Sequence, residues 1–307
     1  VSRTVIWKHI EKLRSRGMDI EASSGRGYRL VEKQPGLFSE ALIVDKLSEN
    51  SRTMLDQLVI ADSLNSTNDE CMRLLGIENS RNSGKANFLV LAEQQTHGRG
   101  RRGKQWYSPY ASNLYMSASQ RFEMGAATLS GLSLVVGLAV VSALVQSGLK
   151  GVQLKWPNDI VCEGKKLGGI LLEITGDLAG PCYAVIGIGL NLKMPSDAEQ
   201  NIDQPYSDLL TLAPEVDWNK NELVAAIVDE LYKRVALFKQ QGFAPFREEW
   251  QKKDCYLGQN LVMSSSNSRL ATGKHLGVND EGAIMLETPE GVQSFSGGEI
   301  TLRPSYL

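Results

Sequence analysis

"THGRGRRGKQWYSPYASNLYMSAS", residues 96–119, carries two phosphate-loop signatures and then withholds from both the helix they require. Gly98, Gly100 and Gly103 spell the dinucleotide fingerprint G-x-G-x-x-G, and Gly98 to Lys104 also begins a nucleotide-triphosphate loop, G-x-x-x-x-G-K. The first pattern needs a helix after its third glycine to receive the pyrophosphate. The second needs Ser or Thr after the lysine, at a helix start, to hold Mg²⁺. Here Gln105 follows the lysine, Pro109 interrupts the next segment, and a strand pattern starts at Asn113. Both standard readings fail on context, and the loop lies between strands.

The flanking sequence agrees. "FLVLAEQ" (88–94), "NLYMSAS" (113–119), "VQLKWP" (152–157), "LGGILLEI" (167–174) and "YAVIGIGLNL" (183–192) read as strands, some joined by turns as short as "CEGKK" (162–166). Strands that follow one another without intervening helices predict a mixed or antiparallel sheet in an α+β protein. Glu222 to Gly242 is an amphipathic helix ended by its glycine. Leu129 to Val145 is apolar, but serines and glycines interrupt it, basic flanks are lacking, and it is short of the roughly 20 residues that span a bilayer. It predicts a buried core helix. After Asp254 the turns "NDEG" (279–282) and "TPEG" (288–291) separate strands without helices, as in a small β-barrel. The expected units are 1–34, 35–252 and 253–307, with "EKQPGLFS" (32–39) linking the first two.

In the first unit, "SRTVIWKHIEKLRSRG" (2–17) predicts a helix capped by Ser2 and stopped by Gly17, with Ile6, Ile10 and Leu13 on one face. "DIEASSGRGYRL" (19–30) follows as strand, glycine turn, strand. Residues 1–34 hold eight Lys and Arg against four acids. A basic helix followed by a hairpin is what a winged helix-turn-helix presents to DNA, although a solvated amphipathic helix shares the pattern. The whole chain has a net charge of −2, so polyanion binding must be local. Cys71, Cys162, Cys182 and Cys255 have neither zinc-ligand spacing nor the look of a disulfide framework, and no signal peptide opens the chain. A reducing cytoplasm is the expected compartment.

The loop keeps its chemistry although both motifs fail. Its glycines let backbone N–H groups face an anion, while Arg99, Arg101, Arg102 and Lys104 supply charge and forked donors. An Arg/Gly loop also suits a nucleic-acid surface, but a single loop set between strands favours a ligand clamp. Like charges and glycine predict that it is mobile until its anion arrives.

"EQQTHGRGRRGKQW" (93–106), "LKWPNDIVCEGKKLGGILLE" (154–173) and "VIGIGLNL" (185–192) resemble the biotin protein ligase family, in the bifunctional bacterial form that is also the biotin operon repressor. The similarity extends through "NSTND" (65–69) to the terminal "GGEITLR" (297–303) and covers nearly the whole chain. It implies a partial winged helix, a central mixed sheet of the class II synthetase type and a small C-terminal β-barrel. It also implies the reaction. Biotin carboxylate attacks the α-phosphate of MgATP to give biotinyl-5′-AMP and pyrophosphate, and a lysine of the biotin carboxyl carrier domain of acetyl-CoA carboxylase then takes the biotin, releasing AMP. The nucleophiles belong to the substrates, so His97 and His275 need form no triad.

Carried over residue by residue, the resemblance assigns Ser66, Thr67, Asn68 and Gln95 to the biotin pocket. Gly98, Arg99, Gly100 and Arg101 fold over biotin and the adenylate linkage, with Arg101 and Lys166 as the catalytic cations and Lys166 meeting both biotin and nucleotide. Arg102, Trp106, Asn158 and Asn191 fall to ATP and adenylate, with Trp106 as a platform for adenine. Mg²⁺ is expected with ATP, and the metal ligands are left unknown. Lys165 reads as a solvated turn lysine, and Lys155 and Asp159 as a structural pair. Asn65 and His97 depart from the commonly acidic and small residues of relatives. The resemblance further implies operator DNA as a partner of the full-length parent, with biotinyl-AMP as its corepressor, and a homodimer when biotinyl-AMP is bound. The chain opens at the recognition helix, without Met or two preceding helices, so it is expected to be an N-terminally truncated form of a bifunctional parent. A lipoate-type ligase would share the core and adenylate chemistry, and a pure regulator would need neither.

Overall fold

The computed structural model describes residues 2–16, 18, 20–31, 35–80, 84–265, 268–296 and 300–305. Gly17 and the first three residues of "GGEITLR" lie outside them, as do the first three of the expected linker. Helix α1 (Arg3–Arg14) starts where the Ser2 hydroxyl accepts from the Val5 N–H at 3.4 Å. Ile6 stays exposed on it, while Ile10 and Leu13 are half-buried. Strands β1 (Ile20–Ser23) and β2 (Gly27–Leu30) form a hairpin whose turn uses Gly25 at φ +75°, a conformation costly for other residues. Beyond α1, Arg16 grips Asp62 through two hydrogen bonds of 2.8 and 2.6 Å and stacks over Tyr110 at 4.4 Å. The guanidinium holds the Asp62 carboxyl below its usual range. The basic unit is thereby fastened between the segments that lead into "NSTND" and away from the Arg/Gly loop.

Helices α2 (Glu40–Lys46) and α3 (Glu49–Met54) precede β3 (Gln57–Ala61), α4 (Thr67–Ser80), β4 (Phe88–Ala92), β5 (Leu114–Phe122) and α5 (Leu132–Gln146). Then β6 (Val152–Lys155), β7 (Asp159–Cys162), β8 (Lys165–Gly176) and β9 (Cys182–Leu190) follow with no helix between them. The seven strands form one sheet in the order β3-β4-β5-β9-β8-β7-β6. β3 and β4 are parallel and all other neighbours antiparallel, so the sheet is mixed and the fold is α+β, as the strand succession predicts.

Helix α5 is buried on almost every side, which explains an apolar run that resembles a membrane segment. Among the described residues no helix is long and apolar enough to cross a membrane. α6 (Leu209–Leu212) leads to α7 (Lys220–Gln241), which packs with α5 over one face of the sheet, and α8 (Arg247–Lys253) follows. The amphipathic helix thus starts two residues before its predicted onset. At the start of α7 the Lys220 ammonium, wholly buried, pairs with Glu93, whose other carboxylate oxygen accepts from the Phe38 N–H at 2.6 Å. This pair pins the segment entering the central unit to the end of β4.

The C-terminal all-β unit is an antiparallel sheet of β10 (Asn260–Ser264), β11 (Arg269–Val278), β12 (Ile284–Thr288), β13 (Gly291–Phe295) and β14 (Thr301–Pro304), in the order β13-β12-β11-β10-β14. His275 of β11 bonds Asp254 through Nε2 at 2.5 Å, with both side chains buried, and so ties this sheet to the end of α8.

Candidate active site

The face of the sheet opposite α5 and α7 carries the site, and strand periodicity builds it. In β9 the alternation sends Ile186 and Ile188 to the helical core and Gly187 and Gly189 to the other side. Register aligns Gly187 with Leu171 of β8 and Ser117 of β5, and Gly189 with Gly169 and Tyr115. A Cβ on Gly187 would lie 2.5 Å from Asn68 Oδ1, and one on Gly189 2.5 Å from the Trp106 indole. Glycine is therefore required for these two side chains to lie on the sheet.

Above this floor opens a chamber of about 730 Å³. Ser66, Thr67, Asn68 and Gln95 line one part of it, Arg99, Gly100, Arg101, Arg102 and Trp106 another, and Asn158, Asp159 and Lys166 a third. Thr301 of β14 and, from the turn that precedes β10, Tyr256 and Gln259 complete its wall. Gly98, Lys165 and Asn191 do not line it. Gly98 sits at the loop's base, where a Cβ would meet Ser108 Oγ at 2.5 Å, and Asn191 is buried with its amide donating to the Ser207 carbonyl at 3.0 Å. Lys165 is exposed.

The polar end is heavily cross-bonded. Gln95 Oε1 accepts from the Thr67 N–H at 2.9 Å and its hydroxyl at 3.1 Å, while Gln95 Nε2 donates to Ser108 at 3.2 Å. The Ser117 hydroxyl lies 2.7 Å from Thr67 Oγ1 and 2.5 Å from Asn68 Oδ1. Asn65 and His97 meet outside the chamber, the His97 N–H donating to the Asn65 carbonyl at 2.9 Å.

The loop closes on itself, with the Gly100 N–H donating to the Lys104 carbonyl at 2.7 Å and the Trp106 N–H to that of Gly98 at 2.9 Å. Its three arginines then diverge. Arg99 reaches Asp69 and Glu173, both at 2.6 Å; Arg101 donates to Asn158 Oδ1 at 3.0 Å; Arg102, in the left-handed region at φ +62°, bonds Thr301 of β14. Burial lowers the Arg101 pKa and Asp159 opposes that shift. A guanidinium starts high enough to remain charged at neutral pH.

Lys166 pairs with Asp159 at 2.7 Å and stands 5.5 Å from the Trp106 ring. Here the Lys155–Asp159 expectation is corrected. The two face each other across the β6–β7 hairpin, but an irregularity in β7–β8 sets Lys166 opposite Val161, beside Asp159, and Lys155 lies over Tyr256 at 5.6 Å. Burial pushes the nearby Cys255 thiol up to about 12, so it is protonated at neutral pH and a poor nucleophile. Among the described residues no three His, Cys, Asp or Glu side chains form a metal site.

Ser117, Glu173 and the floor glycines escape the sequence reading. The signal available for the glycines was their alternation with isoleucine in "VIGIGLNL".

Residues 61–191, which supply most of the mixed sheet and the chamber, match the model of the biotin/lipoate A/B protein ligase family, and residues 1–29 match that of an HTH domain. The bifunctional ligase/repressor BirA of Escherichia coli is 34% identical over 303 residues, which span 99% of this chain and 89% of that protein. The biotin–[acetyl-CoA-carboxylase] ligase of Paracoccus denitrificans is 33% identical over 241 residues, 76% of this chain and 96% of that one. The Aquifex aeolicus biotin protein ligase in complex with biotin and ATP superposes with a TM-score of 0.68 at 26% identity, covering 81% of this chain and all of that one. The chain belongs to the biotin protein ligase family.

Proposed function

We propose that this chain activates biotin with MgATP and transfers it to a lysine of a biotin carboxyl carrier domain such as that of acetyl-CoA carboxylase. The observation that carries this reading is the junction of a glycine-floored polar pocket with Arg101, Asn158 and Lys166 in one chamber. In the first step a biotin carboxylate oxygen bonds to the α-phosphorus, and the bond to the β-phosphate oxygen breaks to release pyrophosphate. In the second, the acceptor amine bonds to the acyl carbon, AMP leaves with the electron pair of the broken acyl–oxygen bond, and the amine loses a proton. Mg²⁺ enters as part of the substrate, MgATP.

Ser66, Thr67, Asn68 and Gln95 hold the ring end of biotin. Gly98, Arg99 and Gly100 shape the loop, and Arg101 and Lys166 stabilise charge at the phosphorus and acyl oxygens. Fixed cations whose side chains are partly buried do this with little reorganisation of solvent. Trp106, Asn158 and Arg102 serve the nucleotide, and Asn191 acts from behind by holding the segment next to Lys166.

The chain also acts as a DNA-binding repressor in this reading. Exposed Arg3, Lys8 and Lys12 on α1 and Arg26 and Arg29 on the hairpin suit operator phosphates and groove edges. Biotinyl-AMP is the corepressor that promotes a homodimer, and the cytoplasm is the compartment.

The test is mass spectrometry of a carrier domain incubated with the chain, biotin and MgATP. One biotin on a single lysine is expected, requiring all three components and lost when that lysine is replaced by arginine. An unmodified carrier would contradict the transfer.

A further inference from the structure

We infer that Glu173, on β8, is a positioning residue that sets both the amide of Asn68 and the closure of the Arg/Gly loop, an assignment that rests on the ligase reading above. A single carboxylate oxygen, Oε2, accepts from Asn68 Nδ2 at 2.7 Å and from Arg99 at 2.6 Å. One donor stands on the first turn of α4 above Gly187, and the other on the loop. A carboxylate only accepts, so it turns the NH₂ end of Asn68 toward itself and the carbonyl end toward the Ser117 hydroxyl. The same oxygen draws Arg99 onto β8, while Arg101 is the loop arginine that bonds Asn158. The orientation of the ring-end pocket and the position of the loop thus share one anchor.

Asp69 also bonds Arg99 at 2.6 Å, but its side chain is 54% exposed against 28% for Glu173, and Asn68 bonds Glu173. Solvent screens the Asp69 contact more. Glu173→Gln preserves shape but replaces an obligatory acceptor with a group that accepts or donates, and it removes the charge opposite Arg99.

The experiment compares the full chain with Glu173→Gln, Glu173→Asp and Asp69→Asn. Amide hydrogen exchange across residues 98–104 is measured without ligand, and KM and kcat are measured by biotin-dependent pyrophosphate exchange. For Glu173→Gln, loop exchange and KM for biotin are each expected to rise about tenfold, the loss falling mainly on KM, as expected for one charge-assisted hydrogen bond at a partly exposed site. Glu173→Asp, which keeps an acceptor-only carboxylate, should lie between the wild type and Glu173→Gln, and Asp69→Asn should change less than Glu173→Gln. Unchanged loop exchange in Glu173→Gln, an effect of Asp69→Asn as large, or a loss confined to kcat overturns the assignment. Hydrogen exchange does not depend on catalysis. A wild type without biotin-dependent activity would therefore defeat the ligase reading while the loop measurement still decided the anchor.

Discussion

Lys166→Ala is expected to lower the rate of biotinyl-adenylate formation by on the order of a hundredfold or more, the typical consequence of removing one donor aimed at developing charge. Lys165→Ala, one residue away, should have little effect. The contrast follows from strand geometry, which leaves Lys165 exposed and brings Lys166 to the chamber wall, 2.7 Å from Asp159 and close to Trp106. Lys166→Arg should not restore the rate, because a planar fork does not replace a compact ammonium. Asp159 remains partly solvated in the alanine variant, so thermal unfolding should move much less than turnover. Single-turnover measurement of adenylate from ATP and biotin checks the pair, and similar small losses in both variants would remove Lys166 from the reaction.

The largest effect on stability is expected at a position remote from the chemistry. Lys220→Ala leaves Glu93 buried without its counter-charge and should cost about 3–5 kcal/mol, read from urea unfolding monitored by tryptophan fluorescence. Burial alone pushes the Lys220 pKa down and Glu93 opposes it, so neither group sits comfortably without the other. Lys220→Met combined with Glu93→Gln should recover much of the loss, since removing both charges also removes the desolvation penalty. A loss below about 1 kcal/mol in the single variant would show that the buried pair contributes no more than a surface ion pair does.

Much of the fold was legible because burial leaves a period in the sequence. The apolar run of α5 and the strand segments of β4, β5, β8 and β9 could be read directly, as could the failure of both phosphate motifs once Gln105 and Pro109 were considered. Site geometry was less accessible. Gly187 and Gly189 are visible as an alternation, but their role depends on the register that places Ser117 and Leu171 beside Gly187, and register is a tertiary property. The partner of Asp159 is not legible in the sequence, because Lys155 is its near neighbour in a hairpin, whereas Lys166 arrives through an irregular pairing with the next strand. The loop cations look equivalent in sequence. Only folding sends Arg99 to Asp69 and Glu173, Arg101 to Asn158 and Arg102 to Thr301.

The most direct test of the ligase reading is pyrophosphate–ATP exchange measured with biotin, with lipoate and with neither acid. The chamber and its cations are assigned to a biotin carboxylate attacking the α-phosphate, so label should enter ATP with biotin and remain at background in the other two samples. Equal exchange with lipoate, or none with biotin, would contradict that reading.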